Sequence, residues 1–224
     1  MKKLFLILVL ILSTSFGYAQ LFEGGVFVGG SNYIGDIGPT TYINPNSPAV
    51  GFIGKFNYTP RITFRGTLIF TPLKADNQKT NRPISAPGAS ISFRNNLLEA
   101  AAGIEFSFFK YSLSQAGYTH TPYIIAQAGI NSYAIIEDDG SSGRKFNLAL
   151  PFGLGYKAKL AENIGISLES TIHYTFKDNI DYNNHNIDTP QRSFGNPNSN
   201  DWYVFTGISV VYAFGRPGCY KGFF

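Results

Sequence analysis

Ile164-Gly165-Ile166-Ser167-Leu168-Glu169-Ser170-Thr171-Ile172-His173-Tyr174-Thr175-Phe176 carries a period of two. Ile164, Ile166, Leu168, Ser170, Ile172, Tyr174 and Phe176 take one side. Gly165, Ser167, Glu169, Thr171, His173 and Thr175 take the other. Successive side chains of a strand point to opposite faces, so this is a long strand with one greasy and one polar face. It is too long for comfort in a soluble sheet, where strands of five or six residues are usual. A strand tilted across a bilayer needs about 9–11 residues.

The same grammar repeats on both sides of this stretch. Residues 146–159 set Phe146, Leu148, Leu150, Phe152, Leu154 and Tyr156 against Asn147, Gly153, Gly155, Lys157 and Lys159. Residues 98–108 set Leu98, Ala100, Ala102, Ile104, Phe106 and Phe108 against Glu99, Gly103, Glu105 and Ser107. Residues 62–70 set Ile62, Phe64, Gly66, Leu68 and Phe70 against Thr63, Arg65 and Thr67, and Trp202 to Phe214 alternates likewise. Weaker strands are expected near 22–30, 49–58 and 122–135. In the last, Ile124 and Ile130 compete with Tyr123, Ile125 and Tyr133, and the faces stay unassigned.

Eight strands result, and the connections between them alternate in length. Thr59-Pro60, residues 110–121 and Leu160 to Asn163 are short or medium. Residues 31–48, 72–95, 136–145 and 177–200 are long and rich in Asn, Pro, Gly and Ser. Short turns on one side and long loops on the other are the pattern of an outer-membrane barrel, with short turns periplasmic and long loops outside. The expected fold is all-β: an eight-stranded antiparallel transmembrane β-barrel. Aromatics near the strand ends, among them Phe70, Phe106, Tyr156, Tyr174, Trp202 and Phe214, suit girdles at two membrane interfaces. A soluble barrel with its apolar face inward has the same alternation; strand length, loop asymmetry and the N-terminus favour the membrane version.

That N-terminus reads as an export signal. Lys2 and Lys3 precede the apolar run Leu4 to Leu12, and Gly17-Tyr18-Ala19 offers small residues at a cleavage site before Gln20. Nine apolar residues rise only about 14 Å as a helix, well short of a roughly 30 Å hydrocarbon core. The expected organisation is a signal peptide at 1–19, a barrel at 20–214 and a periplasmic tail at 215–224.

Composition agrees. Aromatics make up 16% of the chain and charged residues 14%, with 24 glycines. Mean hydropathy is −0.03, unlike a helical membrane protein but natural for strands apolar on alternate residues only. Basic residues are scattered, not gathered into the stripe of a nucleic-acid binder.

If the apolar face meets lipid, the other face fills the lumen with Glu23, Lys55, Arg65, Glu99, Glu105, Lys157 and Glu169, and with His173. Eight strands leave an interior only wide enough for side chains. Charges there must be paired or they are very costly to bury. They read as a plug of ion pairs in preference to an open pore. Glu99 and Glu105 are too far apart for joint acid–base work, about 20 Å along a strand at about 3.3 Å per residue. No zinc-protease, paired-cysteine or phosphate-loop motif occurs. No catalytic, cofactor or metal site is expected. Glu137, Asp138 and Asp139 would suit a cation but read more simply as a solvated loop tip.

The stretch Gly29-Gly30-Ser31-Asn32-Tyr33-Ile34-Gly35-Asp36 resembles the start of the PorG-like outer-membrane proteins of the Bacteroidetes type IX secretion system. The likeness runs over about 20–219, including the closing Val211-Tyr212-Ala213-Phe214-Gly215-Arg216 and a short tail bearing a cysteine. It implies a non-enzymatic barrel that anchors the periplasmic ring of lipoprotein and partner subunits, in a machine that exports proteins with a C-terminal signal and supports gliding. The competing expectation is a stand-alone barrel, either a porin-like channel or a surface adhesin. Cys219, the one cysteine, has no intrachain partner. In an oxidising periplasm it suggests a disulfide to another subunit, or else an unused thiol.

Overall fold

The computed structural model describes residues 21–35, 41–76, 92–114, 117–136, 142–177, 180 and 200–214. The expected signal peptide, the acidic tip 137–139, the tail 215–224 and Cys219 lie outside them. The strands are β1 (Leu21–Ile34), β2 (Ser47–Asn57), β3 (Ile62–Asp76), β4 (Ser92–Ser107), β5 (His120–Ile136), β6 (Ser142–Ala161), β7 (Ile164–Thr175) and β8 (Trp202–Phe214). Each pairs antiparallel with the next. β1 closes on β8 from Phe22↔Phe214 to Ile34↔Trp202, giving an eight-stranded antiparallel closed β-barrel. Closure leaves no free sheet edge.

Two short connections fix the register at one end. In the β2–β3 turn the Thr59 hydroxyl accepts hydrogen bonds from the amides of Arg61 (3.2 Å) and Ile62 (2.9 Å). The β6–β7 turn places Asn163 at φ 60°, a left-handed conformation that Asn tolerates better than most residues.

The barrel decides which face is which. Apolar side chains of every strand point outward and stay exposed: Val26, Phe52, Leu68, Ile104, Ile124, Leu154, Leu168 and Ile208 form a belt around the middle. Alongside the belt, Glu23, Lys55, Arg65, Glu99, Glu105, Lys157 and Glu169 point inward. On β5, whose faces the sequence left open, Tyr123, Ile125, Gln127, Asn131 and Tyr133 are inside, and Ile124 and Ile130 are outside.

Four strands run well into the expected long loops: β1 continues to Ile34 and β6 starts at Ser142, and β3 and β4 extend further still. β3 continues past Phe70 to Asp76, and β4 starts at Ser92, six residues before Leu98, the pair being in register from Thr71↔Leu97 to Asp76↔Ser92. The residues expected as a 72–95 loop are therefore partly strand. The reason is a change of phase. Up to Phe70 the apolar residues of β3 face outward except Ile69; beyond it Leu73 and Ala75 face inward, while Lys74 faces outward. β4 mirrors this, with Phe93 and Leu97 inward and Arg94 outward. A reading that follows one apolar face stops where that face changes sides.

Candidate functional site

The lumen has two halves of different chemistry. Towards the short turns, inward positions carry charge. Glu105 is the hub, fully buried, with Lys55 Nζ at 2.9 Å, Arg65 Nη1 at 3.4 Å and Lys157 Nζ also in contact. The same Arg65 Nη1, together with Nη2, holds Glu169 in a two-pronged pair of 2.8 and 2.5 Å. That planar fork is the strongest way to pair a carboxylate. The Tyr123 hydroxyl donates to the same carboxylate at 2.7 Å. Glu23, in register with Lys55, accepts from the Asn57 amide at 2.7 Å. Three cations thus face three carboxylates in a space closed to water.

Tyrosines complete the cage. Lys157 lies 4.7 Å over the Tyr111 ring and 5.1 Å over Tyr123, within cation–π range. Gly155 makes room for Tyr123: a Cβ there would stand 2.6 Å from its hydroxyl oxygen. Tyr111 comes from the connection between β4 and β5, not from a strand. Its amide donates to Pro60 O at 2.9 Å, and with Leu113 it packs on Val211 and Ala213. This connection folds into the mouth and closes it. Burial pushes the Tyr111 phenol above its ordinary value, and Glu23 adds to the shift.

Glu99 stands apart from that cluster. It accepts from His173 Nδ1 at 3.0 Å and from the Tyr203 hydroxyl, and His173 stacks on Tyr203 at 4.8 Å. The lumen charges expected as one network are therefore two. Glu23, Lys55, Arg65, Glu105, Lys157 and Glu169 come together; Glu99 joins His173 instead. Tyr111, Tyr123 and Tyr203 were not singled out as lumen partners in the sequence. Their signal was an inward position next to a charge, legible only once the faces of β5 were known and the β4–β5 connection was placed.

The other half of the lumen is apolar. Phe27, Tyr33, Leu73, Phe93, Leu97, Tyr133, Ile180 and Phe205 belong to one buried cluster. Asp201 is the buried acid there. It accepts from Tyr33 Oη and, at 2.9 Å, from the Ile180 amide. Asn95 replaces the backbone ladder where β4 and β5 part. Its amide donates to Ala134 O (2.8 Å) and Ile180 O (2.7 Å), and its oxygen accepts from the Ala134 amide at 3.0 Å. The lumen is filled at both ends. Among the described residues no group of three His, Cys, Asp or Glu is placed to hold a metal ion.

Outside, two aromatic rims bound the apolar belt. Phe22, Phe56, Phe64 and Phe214 are in ring contact at the short-turn end. Trp202, Tyr174, Phe176 and Phe152 are in contact at the other.

The family model described as "Domain of unknown function (DUF6089)" matches residues 2–222. The chain belongs to that family. No curated protein matches this DUF6089 chain. Among solved structures it is similar to Ail, the attachment invasion locus protein of Yersinia pestis, at 11% identity and a TM-score of 0.43, over 87% of this chain and 99% of Ail. It is similar to the N-terminal β-barrel domain of Pseudomonas aeruginosa OprF at 14% and 0.42, over 88% and 98%. It is similar to the outer membrane protease OmpT of Escherichia coli at 9% and 0.40, over 87% and 97%. The DUF6089 barrel is established by its own strand register, and no activity transfers from these proteins.

Proposed function

We propose that this DUF6089 protein is a barrel of the outer membrane that serves as a non-enzymatic anchor of the type IX secretion machinery. The observation that carries the membrane part is the exposed apolar belt between two aromatic rims. Outward side chains such as Phe52 (67% exposed) and Leu154 (68%) suit acyl chains, not water. The long connections then face outside, and the short turns and tail face the periplasm.

The secretion part rests on the likeness of Gly29 to Asp36 to PorG-like proteins. The filled lumen adds support, because a barrel packed with ion pairs and capped by Tyr111 and Leu113 has no passage to offer. Its use lies in its surfaces. Exposed Tyr58, Phe109 and Tyr118 at the short-turn rim are the surface for a periplasmic ring of lipoprotein and partner subunits. Cys219 in the tail is the proposed covalent link to such a subunit. The alternative is a stand-alone adhesin working through the long connections.

Deletion of the gene, with export of C-terminal-signal cargo as the readout, separates these. Loss of export, and recovery of periplasmic subunits with the barrel in mild detergent, supports the anchor. Normal export with lost surface binding supports the adhesin. A Cys219-dependent mobility shift on non-reducing gels tests the covalent link.

A further inference from the structure

Asn32 is a polar residue on the greasy side of β1. Its neighbours Ser31 and Tyr33 face the lumen, where they bond to Thr71 and Asp201. Strand alternation therefore turns Asn32 outward, in line with Val26 and Val28 of the belt. It is nonetheless buried. What covers it is the chain leading into β2. Asn32 Nδ2 donates to Thr41 O at 3.1 Å and to Tyr42 O at 3.2 Å, and Asn32 Oδ1 accepts from the Asn44 amide at 3.4 Å. The Asn46 amide donates to Ser31 O at 3.0 Å. Pro45 lies over Gly30: a Cβ on that glycine would stand 2.4 Å from the Pro45 ring. Residues 41–46 are thus a strap laid on the outer wall of the barrel.

The strap lies at the edge of the belt. Gly30 is the next outward residue of β1 after Val28, itself an exposed belt position. Asn32 is in register with Val204 and Ile34 with Trp202, so the strap sits beside the long-loop aromatic rim. At its other end the Asn46 side chain donates to Lys74 O at 3.3 Å, on the part of β3 that faces water. The strap therefore spans the boundary between the two levels. Its composition suits that place: Thr41, Tyr42, Ile43, Asn44, Pro45 and Asn46 carry no charge. Four of its backbone polar groups, Thr41 O, Tyr42 O and the amides of Asn44 and Asn46, are bonded. Irregular chain near lipid needs such partners. Its largest apolar side chains, Tyr42 (62% exposed) and Ile43 (59%), are as bare as those of the belt. Tyrosine, with an apolar ring and a polar tip, is enriched at membrane interfaces.

We infer that residues 41–46 form an interfacial anchor, with Tyr42 and Ile43 entering the headgroup–acyl boundary of the leaflet on the long-loop side. The partner is a lipid surface. Asn32 and Gly30 are the positioning residues that hold the strap down to it. Continuity with the exposed Val26, Val28 and Val50 of the belt, and the lack of charge, argue for lipid over a protein partner. The inference rests on the membrane reading above.

A single-tryptophan reporter tests it: Tyr42→Trp in a Trp202→Phe chain, the full protein folded into vesicles of phosphatidylcholine brominated at graded depths. Emission from position 42 should be blue-shifted and quenched most by the shallowest bromines. Asn32→Ala, which frees the strap, and Gly30→Ala, whose new methyl meets Pro45, should each return the emission to a water-like maximum and abolish the quenching. Heat-dependent gel mobility checks that each barrel is intact, and either of these variants suffices if the other fails to fold. The native Trp202 is the control. Water-like, unquenched emission from position 42, in vesicles where native Trp202 is quenched, would overturn the anchor and leave the membrane reading standing; the exposed pair would then await a protein partner. Unchanged quenching in intact Asn32→Ala and Gly30→Ala barrels would overturn the positioning roles. No quenching at either tryptophan would remove both the anchor and the membrane reading.

Discussion

β3 below and above Thr71 obeys two opposite rules. From Ile62 to Phe70 the greasy residues other than Ile69 face out, and Thr63, Arg65 and Thr67 face in. From Leu73 to Asp76 the greasy residues face in and Lys74 faces out. The lower part is built for a solvent that rejects charge, the upper part for water. The lumen follows the same division: ion pairs around Glu105 fill the half beside the short turns, and an apolar cluster around Leu73, Leu97 and Tyr33 fills the half beside the long connections. Where lipid takes the outer face, the greasy residues are committed outward and the lumen must be held by polar pairing. Where water takes the outer face, the inside can be an ordinary core.

Substitutions at the two levels should therefore fail in different ways. Glu105→Ala leaves Lys55, Arg65 and Lys157 without their shared carboxylate. Breaking a buried pair costs about 3–5 kcal/mol, so this variant should show the largest fall in the urea midpoint in lipid vesicles. Leu97→Ala empties part of the upper core and should cost about 2–5 kcal/mol by the same measurement. Leu168→Arg, in the middle of the outward belt, should cost about 2–4 kcal/mol. Asn96→Arg, also outward but above the belt, should cost no more than about 1 kcal/mol. Equal penalties for Leu168→Arg and Asn96→Arg would erase the difference between the two levels.

Much of this barrel is legible in the chain. β8 spans Trp202 to Phe214 as its alternation requires, and β7 ends one residue short of the expected Phe176, because one face of each is greasy but for a single hydroxyl residue, Ser170 or Thr206. β5 is hard to read because Ile124 and Ile130 face outward while Tyr123, Ile125 and Tyr133 fill the lumen, so both faces are apolar. The tops of β3 and β4 are missed because their apolar face changes sides at the boundary. Inward charges can be picked out strand by strand. Which of them meet cannot: Arg65 on β3 reaches Glu169 on β7 across the lumen, a contact set by closure and not by spacing. Nor does spacing reveal that Tyr111 and Leu113 fold back into the mouth, since they follow no strand period.

The single tryptophan offers the most direct test of the outward belt. Trp202 lies at the long-loop aromatic rim, against Tyr174 and Phe152. In vesicles of lipids brominated at graded depths, its fluorescence should be blue-shifted and quenched most by bromines near the glycerol end of the acyl chain. Water-like emission that no bromine depth quenches, from a protein still folded, would contradict the membrane-facing belt.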